Sequence, residues 1–226
     1  MSQTAINLTA IAIFLITLST LLGPLINLSP TIPALATFTI LGIATLDSFS
    51  FQGMGGTLIL DWIAGFDPQH RERVAHHEAG HFLVAHLLGI PVKGYTLTAW
   101  EALKQKQTGQ GGVSFDDSEL VSQLEKGTIS AQLLDRYCTI WMAGIAAENL
   151  VYDNSSGGAD DRGKLAAVLS GLKFSEAACD MKQSFCALQA KTLLQENWDR
   201  YLALVKVMQQ RATITECLQA IVPSAN

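Results

Sequence analysis

Two histidines and a glutamate with the spacing of a metal site lie at residues 77–81, which read His-Glu-Ala-Gly-His. Apolar residues recur around them at helical spacing, and Gly89 with Pro91 ends the pattern, so the sequence predicts a helix here. Residues four apart share one face of a helix, and His77 and His81 can therefore direct two imidazoles at one ion. Glu78 points about 100° away from His77 and flanks that ion. The spacing predicts a zinc site.

Hydrolysis is the chemistry that such a site performs. A catalytic zinc ion lowers the pKa of a bound water to about 7, and Glu78, outside the ligand set, would accept its proton and pass it to a leaving amine. The same five-residue pattern also occurs on ordinary amphipathic helices, so the surrounding residues must decide whether it forms a metal site. Gly80 inside a helix costs about 1 kcal/mol relative to alanine, which indicates that something packs closely against it. This context favours the metal site.

A catalytic zinc ion needs a third protein ligand. The extended metzincin pattern is excluded, because Val84 and Leu87 stand where its glycine and third histidine would be. Glu101 has a suitable separation, but it falls in an apparent strand-to-loop region with no supporting pattern. Better candidates are Glu148, in a helix rich in small residues, and the pair 160–161, two aspartates at the start of the next helix. An aspartate there could instead act only as a helix cap.

The first 46 residues contain no charged side chain, and every lysine and arginine follows His70. Residues 5–28 form an apolar run long enough to cross about 30 Å of hydrocarbon, and residues 32–46 form a second run. We expect a hairpin of two membrane spans, followed at residues 53–66 by a segment that is either interfacial or a re-entrant piece packed on the rest of the chain. A cleaved signal peptide is the competing interpretation, but the run is too long and no basic residue precedes it.

The first basic residues after the apolar runs are Arg71 and Arg73, which favours the cytoplasmic side for the rest of the chain. Only 15% of the residues are charged and the net charge is −5, so the composition offers no nucleic-acid footprint. Four cysteines without a C-x-x-C pair are typical of a reducing compartment, although a disulfide between Cys179 and Cys186 stays open at this point.

The fold class expected from these patterns is mainly α, with N-terminal transmembrane helices followed by a helical domain that carries a small β-sheet. The predicted organisation is a membrane anchor at 1–52, a connector at 53–69 and a catalytic domain at 70–226. Outside the candidate zinc helix, helical patterns cover residues 118–125, 129–152, 159–172, 179–210 and 215–221.

Three ordered motifs resemble the peptidase domain of the FtsH-type membrane-anchored zinc proteases. Residues 71–81 look like that family's zinc helix, residues 143–148 (Ala-Gly-Ile-Ala-Ala-Glu) look like its Ala-Glu helix, and residues 155–161 are similar to its segment ending in Asn-Asp. The resemblance implies a zincin-like domain and a third zinc ligand at Asp161. It places Asp160 where the family has asparagine, and Glu148 beside the site as a neighbour or alternative ligand.

The resemblance covers roughly residues 70–222 but leaves out the family's ATPase module, for which the segment between Leu46 and Arg71 has no room. Residues 158–164 match a phosphate-loop pattern, but Leu165 replaces the magnesium-binding Ser or Thr and two acids would repel phosphate. The resemblance therefore implies an ATPase-less relative, of the kind expected in a cyanobacterial or plastid membrane with its catalytic domain on the cytoplasmic or stromal side.

The function expected is a membrane-anchored, ATP-independent zinc endopeptidase that acts on unfolded or flexible proteins. Its partners would be protein or peptide substrates and membrane lipids, with no ATP and no nucleic acid, and it could form a homo-oligomer or associate with a larger membrane protease. One alternative is a noncatalytic regulatory or scaffold subunit of membrane complexes. Another is a site-2-type intramembrane protease, which is disfavoured because Asp61 precedes the zinc helix and no apolar span follows it.

Overall fold

The structure is a computed structural model that describes residues 3–50, 54–105 and 111–222. The chain forms two compact units. The first contains the residues through Asp67 together with the segment that starts at Thr98, and the second contains Pro68–Leu97 and the residues from Gly111 onward. The segment that starts at Thr98 thus groups with the apolar N-terminal part of the chain, although it lies inside the predicted 70–226 domain.

Helices dominate the described residues. The helices are α1 (Gln3–Leu22), α2 (Thr31–Ser50), α3 (Met54–Ala64), α4 (Pro68–Leu87), α5 (Ala99–Lys104), α6 (Ser118–Glu125), α7 (Ala131–Tyr152), α8 (Ala159–Gly171), α9 (Glu176–Glu196), α10 (Trp198–Gln209) and α11 (Ile214–Ile221). The strands are β1 (Val92–Tyr95) and β2 (Val113–Phe115), which pair antiparallel with Val92 opposite Phe115. The expected mainly α fold with a small sheet is confirmed.

In the first unit, α1 and α2 are apolar helices whose large side chains are exposed, including Phe14, Phe38 and Phe49. The runs Ala5–Ile26 and Thr31–Ser50 are both long and apolar enough to cross a membrane, by length and composition. Almost none of their residues is buried within the protein, so they do not serve as core helices here. The first unit therefore carries two helices that could span a bilayer.

Two aspartates fix the starts of the short helices in the first unit. The Asp47 carboxylate accepts the backbone N–H groups of Gly55 and Gly56, both at 2.8 Å, at the start of α3. The Asp61 carboxylate accepts the N–H of Ala99 at 2.9 Å, at the start of α5. Each carboxylate satisfies helix N–H groups that have no partner inside the helix.

The core of the second unit forms where α4 packs on α7 and α7 packs on α9, with α10 against α4 and α11 against α10. Large side chains that are fully buried there include Phe82, Tyr137, Leu165, Leu194 and Tyr201. Most of the middle of α4, the helix with the histidines, lies within this core. Both histidines of the predicted metal site are therefore attached to a buried helix.

Two expectations about local structure were wrong. The predicted helix at 179–210 ends at Glu196 and restarts at Trp198, because Asn197 interrupts it. Glu101 lies in helix α5, where a loop was expected, and the Thr98 hydroxyl caps that helix by accepting the Glu101 N–H.

Cys179 and Cys186 are both free thiols. The predicted boundary between 52 and 53 lies outside the described residues.

Candidate metal centre

Two glycines let α4 and α7 approach each other closely. A Cβ added at Gly80 would lie 2.7 Å from the Ala143 carbonyl oxygen and 2.8 Å from the Ala147 Cβ. A Cβ added at Gly144 would lie 2.4 Å from Nε2 of His77 and 2.5 Å from Nε2 of His81. The close packing expected at Gly80 is confirmed, and Gly144 leaves the space in which the two rings meet.

Three ligating atoms converge in that space from two helices. Nε2 of His77 lies 3.1 Å from Nε2 of His81, and Oδ2 of Asp161 lies 3.2 Å from the first and 3.4 Å from the second. All three residues are buried. The structure thus brings together the two histidines from α4 and the aspartate from the first turn of α8, and this group could hold a metal ion.

The other nitrogen of each ring determines which way the lone pairs point. His81 Nδ1 lies 2.7 Å from the Ile140 carbonyl oxygen, which can only accept, so this nitrogen carries the hydrogen. His77 Nδ1 lies 2.7 Å from Oε1 of Glu148 and donates to it in the same way. In the neutral rings both Nε2 lone pairs therefore face Asp161, and three electron-rich atoms share one small space. Such an arrangement favours the binding of a cation between the three atoms.

Glu148 is a buried carboxylate whose two oxygens are fully engaged. Besides His77, it accepts the backbone N–H groups of Ser156 at 2.9 Å and Gly157 at 3.2 Å, and a hydrogen bond from Arg73. Burial opposes its ionisation, but the hydrogen bonds from His77 and Arg73 outweigh that effect and lower its pKa to about 2. Glu148 therefore lies beside the ligand cluster as the partner of His77.

The cluster attracts positive charge. Burial opposes protonation of His77, but hydrogen bonds with Asp161 and Glu148 raise its pKa to about 10. Burial also opposes ionisation of Asp161, yet the neighbouring His81 and His77 hold the pKa of that carboxyl well below its usual range. A metal dication would meet the same attraction.

The start of α8 determines which of the two neighbouring aspartates faces the histidines. Gly158 caps this helix with a φ of 82°, and a Cβ there would lie 2.2 Å from Cγ1 of Ile145. Asp161 is buried, whereas Asp160 is exposed. Adjacent side chains on a helix diverge by about 100°, so one residue faces the cluster and its neighbour faces away.

Glu78 is anchored to the sheet. Its Oε2 accepts the backbone N–H of Val113, at the start of β2, at 2.9 Å. The neighbouring Gly112 has a φ of 107°, and a Cβ there would lie 2.9 Å from the same oxygen. The sheet therefore holds one carboxylate oxygen of Glu78 in a fixed position.

The distances within the cluster are near those between ligands of one metal ion. Ligands about 2.0–2.2 Å from a tetrahedral ion lie about 3.3–3.6 Å from one another, and the three separations here are 3.1, 3.2 and 3.4 Å. Two imidazoles and one carboxylate are also a common donor set for catalytic zinc. His77, His81 and Asp161 would hold such an ion, and the partners of the two Nδ1 atoms would fix their rings.

Sequence reasoning assigned no role in the centre to Arg73 or to the Ile140 carbonyl, and it treated Gly144 only as one of the small residues of its helix. Arg73 could have been found, because it lies four residues before His77 and thus on the same face of α4. A backbone carbonyl leaves no signal in side-chain patterns.

No protein-family model matches this sequence, and the search of curated proteins also found no match.

Proposed function

We propose that this protein is a membrane-anchored zinc metallopeptidase, an ATPase-less relative of the FtsH-type proteases with a zincin-like catalytic domain. The observation that carries the proposal is the convergence of Nε2 of His77, Nε2 of His81 and Oδ2 of Asp161 within 3.4 Å. The motif resemblance supports the same ligand set. The apolar helices α1 and α2 support an anchor in the membrane.

A bound zinc ion would polarise a peptide carbonyl and lower the pKa of a water molecule to about 7. Glu78 would accept the proton of the attacking water and then donate it to the leaving amine. The hydrogen bond from Val113 holds Glu78 in one orientation for both transfers. Glu148 and the Ile140 carbonyl hold the two imidazole rings so that neither ring rotates during the reaction.

Unfolded or flexible proteins are the proposed substrates, because the resemblance implies a relative without the ATPase module that would unfold a folded protein. The proposed location is a membrane, with the second unit on the cytoplasmic or stromal side. A noncatalytic subunit of a larger membrane complex is the alternative function.

The test compares the purified full-length protein with its Glu78→Gln variant. Both should bind about one zinc ion, and only the native protein should cleave casein, because glutamine cannot accept a proton. Glu72→Gln is the matched control, since Glu72 is exposed on the same helix. Zinc binding without cleavage by the native protein would favour the noncatalytic subunit, and a lack of zinc binding would rule out the peptidase.

A further inference from the structure

Arg73 connects three separate parts of the second unit. It lies on α4 one turn before His77, and its Nε donates a hydrogen bond to Oε2 of Glu148 on α7. Its Nη2 donates to the backbone oxygen of Asn154 at 2.6 Å and also to the Oδ1 of that residue. The guanidinium lies 4.7 Å from the centre of the Tyr152 ring. One side chain thus joins α4, α7 and the loop between α7 and α8.

The loop at 153–158 is the connection that leads from Glu148 to Asp161. It begins with Asp153 at a φ of 58° and ends with Gly158 at a φ of 82°. Between these, the N–H groups of Ser156 and Gly157 point at the Glu148 carboxylate. The loop and Glu148 therefore determine each other's position, and Arg73 binds both.

A planar guanidinium can bind Glu148 and the loop at the same time better than other side chains can. It presents several donors in a fixed fork, and here the fork contacts a carboxylate on one side and a loop carbonyl on the other. The Glu148 side chain is only 2% exposed and that of Arg73 is 21% exposed, so solvent screens the pair weakly at its Glu148 end. Lysine would keep the charge but lose the fork.

We propose that Arg73 is a positioning residue of the metal centre. This proposal rests on the zinc site proposed above. Through Glu148 it fixes the ring of His77, and through Asn154 it fixes the loop that brings Asp161 to the two histidines. Without it, Glu148 loses a donor and the loop loses its contact with α4. Two of the three ligands then become less ordered, and the affinity for the metal falls.

The experiment measures zinc affinity in the full-length protein in detergent, by competition with a chromogenic chelator. The variants are Arg73→Met, Arg73→Lys and the control Arg71→Met, which removes the same charge from an exposed position on α4. We expect Arg73→Met to weaken zinc binding by about 10- to 100-fold, as loss of partners behind the ligands does elsewhere. Arg73→Lys should recover only part of this loss, and Arg71→Met should bind as the native protein does.

A second measurement, the melting temperature of the zinc-free protein, separates positioning from stability. If Arg73 only stabilises the fold, Arg73→Met lowers the melting temperature and leaves zinc affinity unchanged, which overturns the proposal. Full recovery by Arg73→Lys also overturns it, because charge alone would then suffice. If Arg73→Met does not fold, Asn154→Ala, at an exposed position, takes its place and should weaken zinc binding several-fold.

The same data separate this proposal from the proposed function. If the native protein binds zinc and the Arg73 and Asn154 variants bind it equally well, only the role of Arg73 fails. If the native protein binds no zinc, the zinc site fails and the positioning role fails with it. Casein cleavage does not enter either comparison.

Discussion

Asp160 and Asp161 have the same side chain but different surroundings, since the first is exposed and the second is buried beside the histidines. From residue types alone either could have been the ligand or a helix cap, and only the resemblance favoured Asp161. The geometry of the first turn of α8 separates them, because Gly158 sets where that turn begins. Such a register depends on loop backbone angles that residue types do not specify.

Replacing each aspartate with asparagine should therefore have different consequences. We expect Asp161→Asn to reduce zinc affinity by at least about 100-fold, because a neutral amide is a poor ligand and loses the attraction between carboxylate and dication. Asp160→Asn should leave affinity within about twofold, as is usual for an exposed side chain. Isothermal titration with zinc measures both, and equal losses would mean that the assignment of the ligand is wrong.

Metal binding should also release a proton. The pKa of His77 is raised to about 10 in the metal-free cluster, so this ring is protonated at pH 8, whereas a ligating imidazole must be neutral. We expect this ring to release about one proton per zinc at pH 8, in addition to the one lost by the zinc-bound water, so the total falls from about two towards one as the pH rises above 10. Calorimetry in buffers of different ionisation enthalpy measures this number. The same number at pH 8 and above pH 10 would contradict the charge state assigned to His77.

Among the elements, α6 and α8 were predicted to within one residue at each end, and the close approach of the small-residue helix α7 to another helix was also predicted, because these signals are local. The histidine spacing, the glycine within α4 and the small residues of α7 all lie in the sequence, and the contact between the helices follows from them. Helix α5 was missed although Thr98 followed three residues later by Glu101 is a helix-start signal. The break at Asn197 was missed because the apolar pattern continues through it.

The close contact between α4 and α7 gives a prediction about stability. Gly80→Ala would place a methyl group 2.7 Å from the Ala143 carbonyl oxygen and should destabilise the protein by about 1–3 kcal/mol, because the helices must separate. Gly163→Ala on α8 is the matched control, since nothing lies within 4 Å of the added Cβ. It should stabilise the protein by up to about 1 kcal/mol through helix propensity. Chemical denaturation of the metal-free variants tests the pair.

At the scale of the whole molecule, the two apolar helices could be recognised from composition, because a long run of apolar residues is a clear signal of a possible membrane span. The grouping of the segment that starts at Thr98 with the N-terminal unit could not, because it depends on contacts between residues far apart in the chain. The contact between Asp61 and Ala99 is one of these.

The exposed apolar surfaces of α1 and α2 predict stable integration into a membrane. The full-length protein should remain in the membrane pellet after an alkaline carbonate wash and should need detergent for extraction, because these surfaces belong in hydrocarbon. Sequencing of the extracted protein should show that residues 5–28 are retained. Release by carbonate, or a mature N-terminus beyond residue 28, would show that the apolar segment is not an anchor.

The ligands His77 and Asp161 are separated by 84 positions in the chain. A metal ion held between them would link α8 to α4 and stabilise the folded state, because the three ligating atoms come together only there. Helix α8 itself buries two leucines, Leu165 and Leu169, besides Asp161, and its Val168 packs partly buried against the core. Removal of the metal would therefore let α8 open more often than the rest of the second unit, and its amide hydrogens would exchange with solvent sooner than those of α7.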